Sequence, residues 1–531
     1  MLILCSENIL AKLTSYVDNN SVYSFGNMKA VAGKNYHVSV DPEGISFYRG
    51  MNCKGVLPEQ HESGGRYENI KSHSAEADGY FILASLSKDS VRCCRSLYRY
   101  QDIYYWQNGP EFIITTDLHV IAAVSENHEI CADFLSLFVN NHPSACFTSP
   151  LSTIKKLEGG CELAYSNSRF CIRPLQTLAC RGGDYLETMM DLLKSVSLNR
   201  QIYLHYSGGM DSTLLLLLLK EAGINFTALH YDAYIFENDS EKLLAESVCK
   251  KYGIEFHVIK PTLLFKNQIA RASHPMDVSA FHTDLSSETF CCSDISSAEA
   301  LVLDGQGGDS LFVQNPSEKV GFDFLRRGKF FSAYSRLSDL SQLKNRNLAD
   351  LILRNSRRLF GRNSDQITNS FGHPLTESVD ERLSQYDYNC DLISMMEKMP
   401  LAGSTEYSSF SPILSLNSVR NFMSYDYHKN YSDEYDRLKI RNMLYRRFQE
   451  PVVYDKRKRS SVNVLYQMLK RQKDFIRAVI EDTSLPELAG FDLHLLRSSL
   501  EMNASVRIDE NAVRLMRLAD AYRYYHSLKL T

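Results

Sequence analysis

The sequence predicts a protein of mixed fold class, with an α+β sandwich in the N-terminal third and an α/β doubly wound parallel sheet after it. Residues 1 to about 180 carry short β-type runs separated by Gly, Asn and Asp turns. From residue 201 onwards, strand-like and helix-like stretches alternate, which is typical of a parallel sheet covered by helices. With 531 residues, the chain is also too long for one hydrophobic core and favours roughly two to four domains.

In the N-terminal region, residues 1–16 are interpreted as a strand, because no basic stretch precedes their apolar residues as it would in a signal peptide. Further elements are predicted from alternating and helical patterns: strands at residues 45–48, 80–86, 103–106, 111–116, 162–165 and 170–173, and helices at residues 118–124 and 132–140. The Gly-rich residues 181–184 indicate a boundary. We therefore expect one domain at residues 1–180 and a second at residues 181–531.

The second domain is predicted to contain strands and helices in alternation, followed by a charged helical part. Its predicted elements are helices at residues 185–198 and 240–252 and strands at residues 201–205, 226–230, 255–259 and 301–303. Residues 356–374 are polar and rich in Gly and Asn, which favours a loop. The aromatic residues 522–525 near the end of the chain are interpreted as part of a packed amphipathic helix.

Composition excludes several classes of partner and location. The chain has 59 basic and 63 acidic residues and a net charge of -4, so nucleic acid and acidic membranes are not expected partners. No apolar run approaches the roughly 20 residues of a membrane span. The 13 cysteines form no CxxC pair, which disfavours a zinc site, and no export signal is present. We expect a cytoplasmic protein without a membrane span.

The stretch Gln201–Ala222, QIYLHYSGGMDSTLLLLLLKEA, carries the strongest chemical signal. An apolar strand ends in a Ser-Gly-Gly turn, and a leucine-rich helix begins near Ser212. Glycines allow close approach of the backbone to phosphates, and the helix N-terminus attracts anions. The residues expected to bind phosphates are Ser207, Gly208, Gly209, Asp211, Ser212 and Thr213. We interpret the Asp211 carboxylate as a magnesium ligand. The alternative is a turn that merely joins a strand to a helix.

A second glycine cluster, LDGQGGDSLF at residues 303–312, follows another apolar run. Gly305 and Gln306 are expected to contribute to the phosphate site, and Asp309 to supply a second magnesium ligand. Because the carboxyl ends of neighbouring parallel strands open on one crevice, Asp309 and Asp211 are expected to face each other. The alternative is a Gly-rich turn with a capping aspartate.

These two motifs, together with the basic run KRKRSS at residues 456–461, resemble the asparagine-synthetase superfamily and its SGGxDS pyrophosphate loop. The similarity covers nearly the whole chain, because residues 79–83, 111–118 and 157–163 resemble the superfamily's N-terminal domain, which has an Ntn-amidohydrolase-like fold. The resemblance implies that ATP is split into AMP and pyrophosphate with the help of Mg²⁺. It also implies that Lys458 joins Asp211 and Asp309 as a catalytic residue, and that His230 lies beside the adenine.

One catalytic part of that N-terminal domain is missing. Glutamine-hydrolysing members present a cysteine at position 2 as the N-terminal nucleophile, whereas this chain has Leu2, and Cys5 lies inside the chain. A cysteine without a free α-amine does not match that arrangement. We therefore expect no glutaminase activity, so that the nitrogen must come from the substrate's own amine or from a second substrate.

Residues 305–318 and 456–461 are similar to the lasso-peptide cyclases of the microcin type found in enterobacteria. This resemblance implies a ligase that adenylates an Asp or Glu side chain of a leaderless core peptide and closes a macrolactam ring with the N-terminal amine. It further implies a precursor peptide as substrate and a leader-peptide protease as partner. Gln306 stands where asparagine synthetases carry Glu and β-lactam synthetases carry Tyr, and it cannot accept a proton at neutral pH.

Two alternatives stay open from the sequence. One is a small-molecule amide synthetase of the β-lactam type, and the other is a non-catalytic scaffold that delivers peptide. The acidic and arginine positions that the superfamily carries before a Pro-Phe pair are Ser408 and Phe410 here, followed by Pro412. The acceptor pocket is therefore not expected to be built for aspartate. Of the two histidines in predicted strands near the loop, His205 is interpreted as a core residue.

Overall fold

The structure is a computed structural model with two regions of different architecture. It describes residues 1–13, 20–52, 67–76, 78–126, 128–231, 240–259, 274, 300–359, 373–399, 408–455, 469, 472–482, 484–501 and 510–528. The predicted fold class is confirmed: antiparallel sheets form the N-terminal region, and a parallel sheet with helices follows. None of the helices in the described residues combines the length and the apolar character needed to cross a membrane.

Within these residues, the N-terminal region forms two six-stranded antiparallel sheets. Its strands are β1 (Leu2–Ser6), β2 (Ser21–Phe25), β3 (Met28–Ala32), β4 (His37–Asp41), β5 (Gly44–Asn52), β6 (Gly79–Leu86), β7 (Ser90–Arg95), β8 (Tyr104–Asn108), β9 (Glu111–Thr115), β10 (Lys155–Lys156), β11 (Cys161–Ser166) and β12 (Arg169–Pro174). The sheet orders are β10-β8-β9-β1-β3-β2 and β12-β11-β7-β6-β5-β4. Its helices are α1 (Glu7–Leu10), α2 (Tyr67–Glu76), α3 (Leu118–Ser125) and α4 (Ala132–Val139).

The two sheets pack face to face because successive side chains of a strand point to opposite faces of its sheet, and those on the inner faces are apolar. In β1, Leu2 and Leu4 point into the core that also contains Ile82 of the second sheet. Ile3 and Cys5 point to the opposite face and pack against α3 and α4. The chain start differs from the predicted single strand, because the strand ends at Ser6 and a helical turn follows it.

The second region is built on a five-stranded sheet in the order β15-β14-β13-β16-β17, with parallel pairing throughout the described residues. Its strands are β13 (Gln201–His205), β14 (Phe226–Tyr231), β15 (Glu255–Ile259), β16 (Ala300–Leu303) and β17 (Ser408–Phe410). The helices before and around this sheet are α5 (Tyr185–Val196), α6 (Met210–Glu221), α7 (Ser240–Tyr252), α8 (Gly308–Leu311), α9 (Val320–Leu325), α10 (Phe330–Lys344) and α11 (Leu348–Leu359). The prediction of a loop at residues 356–374 is wrong at both ends, because α11 continues to Leu359 and a 3₁₀ turn begins at Pro374. Its middle, residues 360–372, lies outside the described residues.

The remaining helices are α12 (Ser384–Glu397), α13 (Leu416–Phe422), α14 (Leu438–Phe448), α15 (Lys473–Asp482), α16 (Leu485–Leu488), α17 (Leu493–Glu501) and α18 (Glu510–Leu528). The last four share a hydrophobic core with α3, α4 and the outer face of β1. Tyr524 and Tyr525 of α18 are 0% and 5% exposed, in accordance with the packed helix expected for residues 522–525. The chain's end therefore covers the N-terminal sandwich.

A buried ion pair joins the sandwich to α12. Arg95 Nη2 donates to both carboxylate oxygens of Glu397, at 2.8 and 2.7 Å, and both side chains are almost fully buried. Burial by itself raises the pKa of the Glu397 carboxyl, but the Arg95 guanidinium and other nearby positive groups outweigh it and hold the pKa at about 2. The pair is therefore charged at neutral pH and fixes the position of α12.

Replacing Arg95 with methionine is expected to lower the free energy of unfolding by about 3–5 kcal/mol at neutral pH, because Glu397 would stay buried without its partner. The Glu397 pKa is lower in the folded state than the roughly 4.3 of an unfolded chain. The stabilisation that the ion pair gives to the wild type is thus fully present at pH values above the unfolded-state pKa, and it is lost as the pH falls towards 2. Urea unfolding at pH 7 and at pH 4 should show a smaller difference between the two proteins at pH 4.

The control variant is Arg382→Met, which breaks a surface pair with Asp380 at 2.9 Å. It should unfold close to the wild type at both pH values, because water screens an exposed pair. An Arg95→Met protein as stable as this control would show that the buried pair does not hold the sandwich to α12.

Candidate active site

The candidate site lies where two neighbouring parallel strands end. In β13 and β16, Leu204 pairs with Leu303, so the loops that follow the two strands start side by side. The first loop leads into α6 and the second into α8. Ligands of open parallel sheets bind at this edge, since the helix N-termini and loop backbones converge there.

The first loop is shaped by glycine and by serine hydroxyls. Gly208 has φ +79°, in the left-handed region that favours glycine. The Ser207 hydroxyl accepts a hydrogen bond from the Gly209 N–H at 3.2 Å, and the Ser212 hydroxyl donates to the Gly209 carbonyl at 3.1 Å. The helix begins at Met210, two residues earlier than predicted. These contacts hold the loop against the first turn of α6.

The leucines of α6 fix the position of that first turn. Residues 214–219 are six consecutive leucines that are all buried, so every face of the helix packs against protein. Thr213, also buried, lies 3.3 Å from the hydroxyl of Tyr206, with which it shares a hydrogen bond. The start of α6 is therefore held rigidly at the end of β13.

The second loop approaches the first so closely that only glycine fits at two positions. A Cβ on Gly308 would lie 2.3 Å from Cγ of Asp211, and one on Gly305 would lie 2.9 Å from the Ser212 nitrogen. The Asp304 carboxylate accepts a hydrogen bond from the Gln306 N–H at 2.9 Å and another from the Ser411 hydroxyl. Burial raises the pKa of Asp304 to about 6.

Asp211 and Asp309 lie on either side of one guanidinium group. Nη1 of Arg437 is 3.0 Å from Oδ2 of Asp211 and 2.8 Å from Oδ1 of Asp309. Asp309 sits in the first turn of α8 and is about half exposed, whereas the Arg437 residue is 5% exposed. The structure thus brings together the two carboxylates predicted from the motifs, and it adds a positive charge that joins them.

Arg437 is itself held by neighbouring charges. Burial lowers the pKa of its guanidinium, but Asp211, Asp436 and Asp309 outweigh this and raise the pKa, so the group stays charged. The Asp436 carboxylate lies 3.3 Å from Nε of Arg437 and accepts a hydrogen bond from Arg441 at 2.9 Å. The result is a chain of alternating charges from α6 to α14.

The other residues predicted for the site occupy different surroundings. His230 lies in the neighbouring strand β14, one residue before its end, and is 3% exposed; its Nδ1 lies 2.9 Å from the Tyr206 carbonyl oxygen. Gln306 is exposed on the second loop. His205 is hydrogen-bonded to Tyr231 at 3.0 Å, and burial lowers its pKa to about 4, consistent with the predicted core role. Lys458 and the whole run 456–461 lie outside the described residues.

A cavity of about 440 Å³ opens beside Asp309. Its lining includes polar residues of three helices and the loop after α8, among them Asp309, Gln314, Lys344, Asp387, Tyr388 and Asp391. Burial, followed by repulsion from Asp387, raises the pKa of Asp391 to about 6. The cavity therefore presents a polar and mainly acidic wall next to the paired carboxylates.

The donor set fits a magnesium ion that is shared with a nucleotide. In nucleotide sites Mg²⁺ is usually held by one or two carboxylates together with substrate phosphates. Asp211 and Asp309 supply such a pair, and the bridging guanidinium demonstrates that positive charge is accommodated between them. Among the residues that the structure describes, no group of three or more His, Cys, Asp or Glu side chains could hold a metal by itself.

Sequence reasoning missed Arg437, Asp436 and Asp304. Arg437 lies in the stretch SDEYDRLKIR, far from either glycine motif, and no spacing in the sequence connects it to Asp211. Asp304 lies within the second glycine cluster, and its position directly after an apolar strand was an available signal. The charge chain from α6 to α14 could only be found in three dimensions.

Two parallel strands that end in facing glycine loops, with paired carboxylates between them, have the arrangement expected of a nucleotide-cleaving α/β enzyme. The family model for asparagine synthase matches residues 202–519, and the chain belongs to this family. At that level it is an ATP-dependent enzyme that forms amide bonds. The chain is also 24% identical over 466 residues to the microcin J25-processing protein McjC of Escherichia coli, covering 86% of this chain and 87% of that protein. The predicted resemblance to microcin-type cyclases is thereby confirmed.

Solved structures give weaker matches. A glutamine phosphoribosylpyrophosphate amidotransferase from B. subtilis, in complex with ADP and GMP, matches 63% of this chain and 79% of its own at 7% identity, with a TM-score of 0.23. A structure described as the allosteric regulatory enzyme of purine biosynthesis matches 45% of this chain and 69% of its own at 7% identity, with a TM-score of 0.20.

Gly308→Ala tests the close approach of the two loops. The new Cβ would collide with the Asp211 carboxylate, so one of the two must shift, at a typical cost of about 1–3 kcal/mol for overpacking. We expect affinity for Mg²⁺ and ATP, measured by calorimetry, to fall while the fold persists in circular dichroism. Gly182→Ala is the control, because its Cβ would meet no atom within 4 Å and its binding should not change. Equal affinities in the two variants would contradict the described contact.

Proposed function

We propose that this protein is an ATP-dependent lasso-peptide cyclase. It would adenylate an Asp or Glu side chain of a leaderless core peptide and close a macrolactam ring with the peptide's N-terminal amine. The observation that carries the proposal is the facing pair Asp211 and Asp309, located at the ends of β13 and β16 in a chain that is similar to McjC over most of its length. The reaction would take place in the cytoplasm, with a leader-peptide protease supplying the core peptide.

In the first step, ATP binds with its triphosphate against residues 207–213 and the second glycine loop, and with its adenine towards the end of β14 near His230. A carboxylate oxygen of the peptide forms a bond to the α-phosphorus as the bond to the bridging oxygen breaks, and pyrophosphate leaves with that electron pair. When bound by Asp211 and Asp309, Mg²⁺ supplies positive charge to the leaving pyrophosphate. The helix N-termini of α6 and α8 add partial positive charge at the same place.

In the second step, the N-terminal amine of the peptide attacks the acyl carbon, AMP leaves, and the proton of the amine passes to solvent. A free α-amine titrates near pH ~8, so an appreciable neutral fraction exists without a strong base. This supports the proposal despite Gln306, which cannot act as a base. Holding both ends of the peptide together is an entropic task worth several kcal/mol of barrier. The cavity beside Asp309 is the space we assign to these ends.

The direct test is mass spectrometry of a leaderless core peptide incubated with the protein, ATP and Mg²⁺. We expect a mass loss of one water from the peptide and release of AMP and pyrophosphate in equal amounts. Failure of every Asp- or Glu-bearing candidate peptide encoded beside the gene to lose water would exclude the cyclase. If ATP were cleaved only with a small amino acid derivative, a small-molecule amide synthetase would take its place.

Asp211→Asn and Asp309→Asn are expected to reduce pyrophosphate release by roughly 100-fold or more, because loss of a metal ligand removes several kcal/mol of charge stabilisation. The change is isosteric and keeps the loops in place. Asp350→Asn, on the exposed surface of α11, is the matched control and should retain full release. Wild-type rates in either active-site variant would remove these carboxylates from the mechanism.

Lys458→Ala is expected to lower turnover by about 10²–10³-fold while ATP binding remains, because this lysine is assigned to the negative charge that develops on the acyl oxygen and α-phosphate. Lys456→Ala is the matched control two residues away and should keep most of the activity, since we assign it to solvent. Single-turnover kinetics and calorimetry separate the two effects. Loss of nucleotide binding in Lys458→Ala would contradict a role confined to the transition state.

A further inference from the structure

We propose that Arg437 acts as an internal cation that holds Asp211 and Asp309 together in the nucleotide-free protein and leaves this position when Mg²⁺ enters with ATP. The inference rests on the proposed role of the two carboxylates as metal ligands. It adds a positioning residue to the reaction and a reason for metal and nucleotide to bind together. It also connects the nucleotide site to the segment that carries Lys458.

The geometry makes the guanidinium and a metal ion mutually exclusive. One nitrogen lies within 3.0 Å of a carboxylate oxygen of both Asp211 and Asp309, so these two oxygens are less than about 6 Å apart. Mg²⁺ binds oxygens at about 2.0–2.1 Å, and a metal that bridged them would occupy the space of this nitrogen. Two carboxylates at such a distance repel each other unless a cation lies between them. One cation must therefore replace the other.

The position of Arg437 is built into the fold. Its φ of +52° lies in the left-handed region, which is unfavourable for a residue other than glycine. The residue is 5% exposed, and its backbone directly precedes α14. Asp436 contacts both Arg437 and Arg441, so it holds the turn from both sides. A strained and buried arginine that joins two metal-type ligands is more specific than an accidental surface pair.

Charge explains why ATP would favour the exchange and Mg²⁺ alone would not. Displacing a buried guanidinium from two carboxylates leaves it with Asp436 alone, and losing two charged partners is costly in a site that is largely shielded from water. A triphosphate brings several negative charges to the same place, and arginine binds phosphate oxygens through several parallel hydrogen bonds. The nucleotide phosphates would thus bind the displaced guanidinium when the metal replaces it between Asp211 and Asp309.

A contact of Asp436 and Arg441 connects Arg437 to the end of the described chain before residue 456. Arg437 continues into α14, and Arg441 of that helix donates a hydrogen bond to the carbonyl of Val453 in the 3₁₀ turn Pro451–Tyr454. The run that contains Lys458 begins two residues after this turn. A shift of Arg437 would therefore act through Asp436 and Arg441 on the 3₁₀ turn that precedes this run.

The test is a magnesium titration without nucleotide, followed by thermal unfolding and calorimetry. In the wild type, Mg²⁺ alone should leave the melting temperature nearly unchanged. In Arg437→Gln, the metal-free protein should melt at a lower temperature, Mg²⁺ should restore the loss, and Mg²⁺ should bind at least about tenfold more tightly than in the wild type, since a competing cation is gone. Adding Asp211→Asn to Arg437→Gln should abolish this response.

Arg447→Gln is a closely matched control. Arg447 lies on the same helix and also joins two carboxylates, Glu187 at 2.6 Å and Glu221 at 2.8 Å. Its loss is expected to lower the melting temperature without any response to Mg²⁺. An Arg437→Gln protein that behaves like this control, or a wild type that binds Mg²⁺ as tightly as Arg437→Gln does, would overturn the proposal.

A measurement on the wild type serves if Arg437→Gln does not fold. Hydrogen exchange of the amides in α14 should change when Mg²⁺ and a non-hydrolysable ATP analogue are added together, and should not change with Mg²⁺ alone. Equal exchange in all three states would contradict the displacement. These readouts need neither peptide nor turnover, so a failed cyclase assay and a failed exchange of cations are separate results.

Discussion

The constraint on which the site depends is the repulsion between two carboxylates that the sheet brings to one place. The pairing of β13 with β16 sets the distance between the loops, and Gly305 and Gly308 allow them to approach until Asp211 and Asp309 share one partner. Such an arrangement is stable only with a cation between the carboxylates. The fold thus creates a negatively charged site that is stable only with a bound positive group, which is the property that a metal and nucleotide site requires.

The position of the site is fixed by the leucines of α6 and by a contact with the N-terminal sandwich. Six consecutive buried leucines fix the helix that carries Asp211, while the pair Arg95 and Glu397 fixes α12, whose first turns supply Asp387 and Asp391 to the cavity. One wall of the site is therefore held by the core of its own sheet, and the other by a contact with the N-terminal sandwich. The contact between Arg95 and Glu397 therefore gives the sandwich a structural role in positioning α12.

The sequence was sufficient for the features that depend on local pattern. The glycine loops and the leucine helix could be predicted because side-chain period and glycine geometry act over a few residues. The sequence was insufficient for contacts between charged residues that lie far apart along the chain. Arg95 and Glu397 are separated by more than half of the chain, and Arg437 contacts Asp211 from a turn before α14 that carries no motif of its own. Burial of these arginines follows from tertiary packing, which no spacing in the sequence encodes. Lys458 stays a prediction.

The sandwich is best understood through its first strand. Leu2 pairs with Ala32 in the middle of a sheet, its amide donates to the Thr116 hydroxyl at 3.0 Å, and its side chain belongs to the inner core. Burial lowers the pKa of the Met1 α-amine next to it. A leucine at this place stabilises the strand. Through Arg95, the sandwich also holds α12, which supplies Asp387 and Asp391 to the cavity beside Asp309.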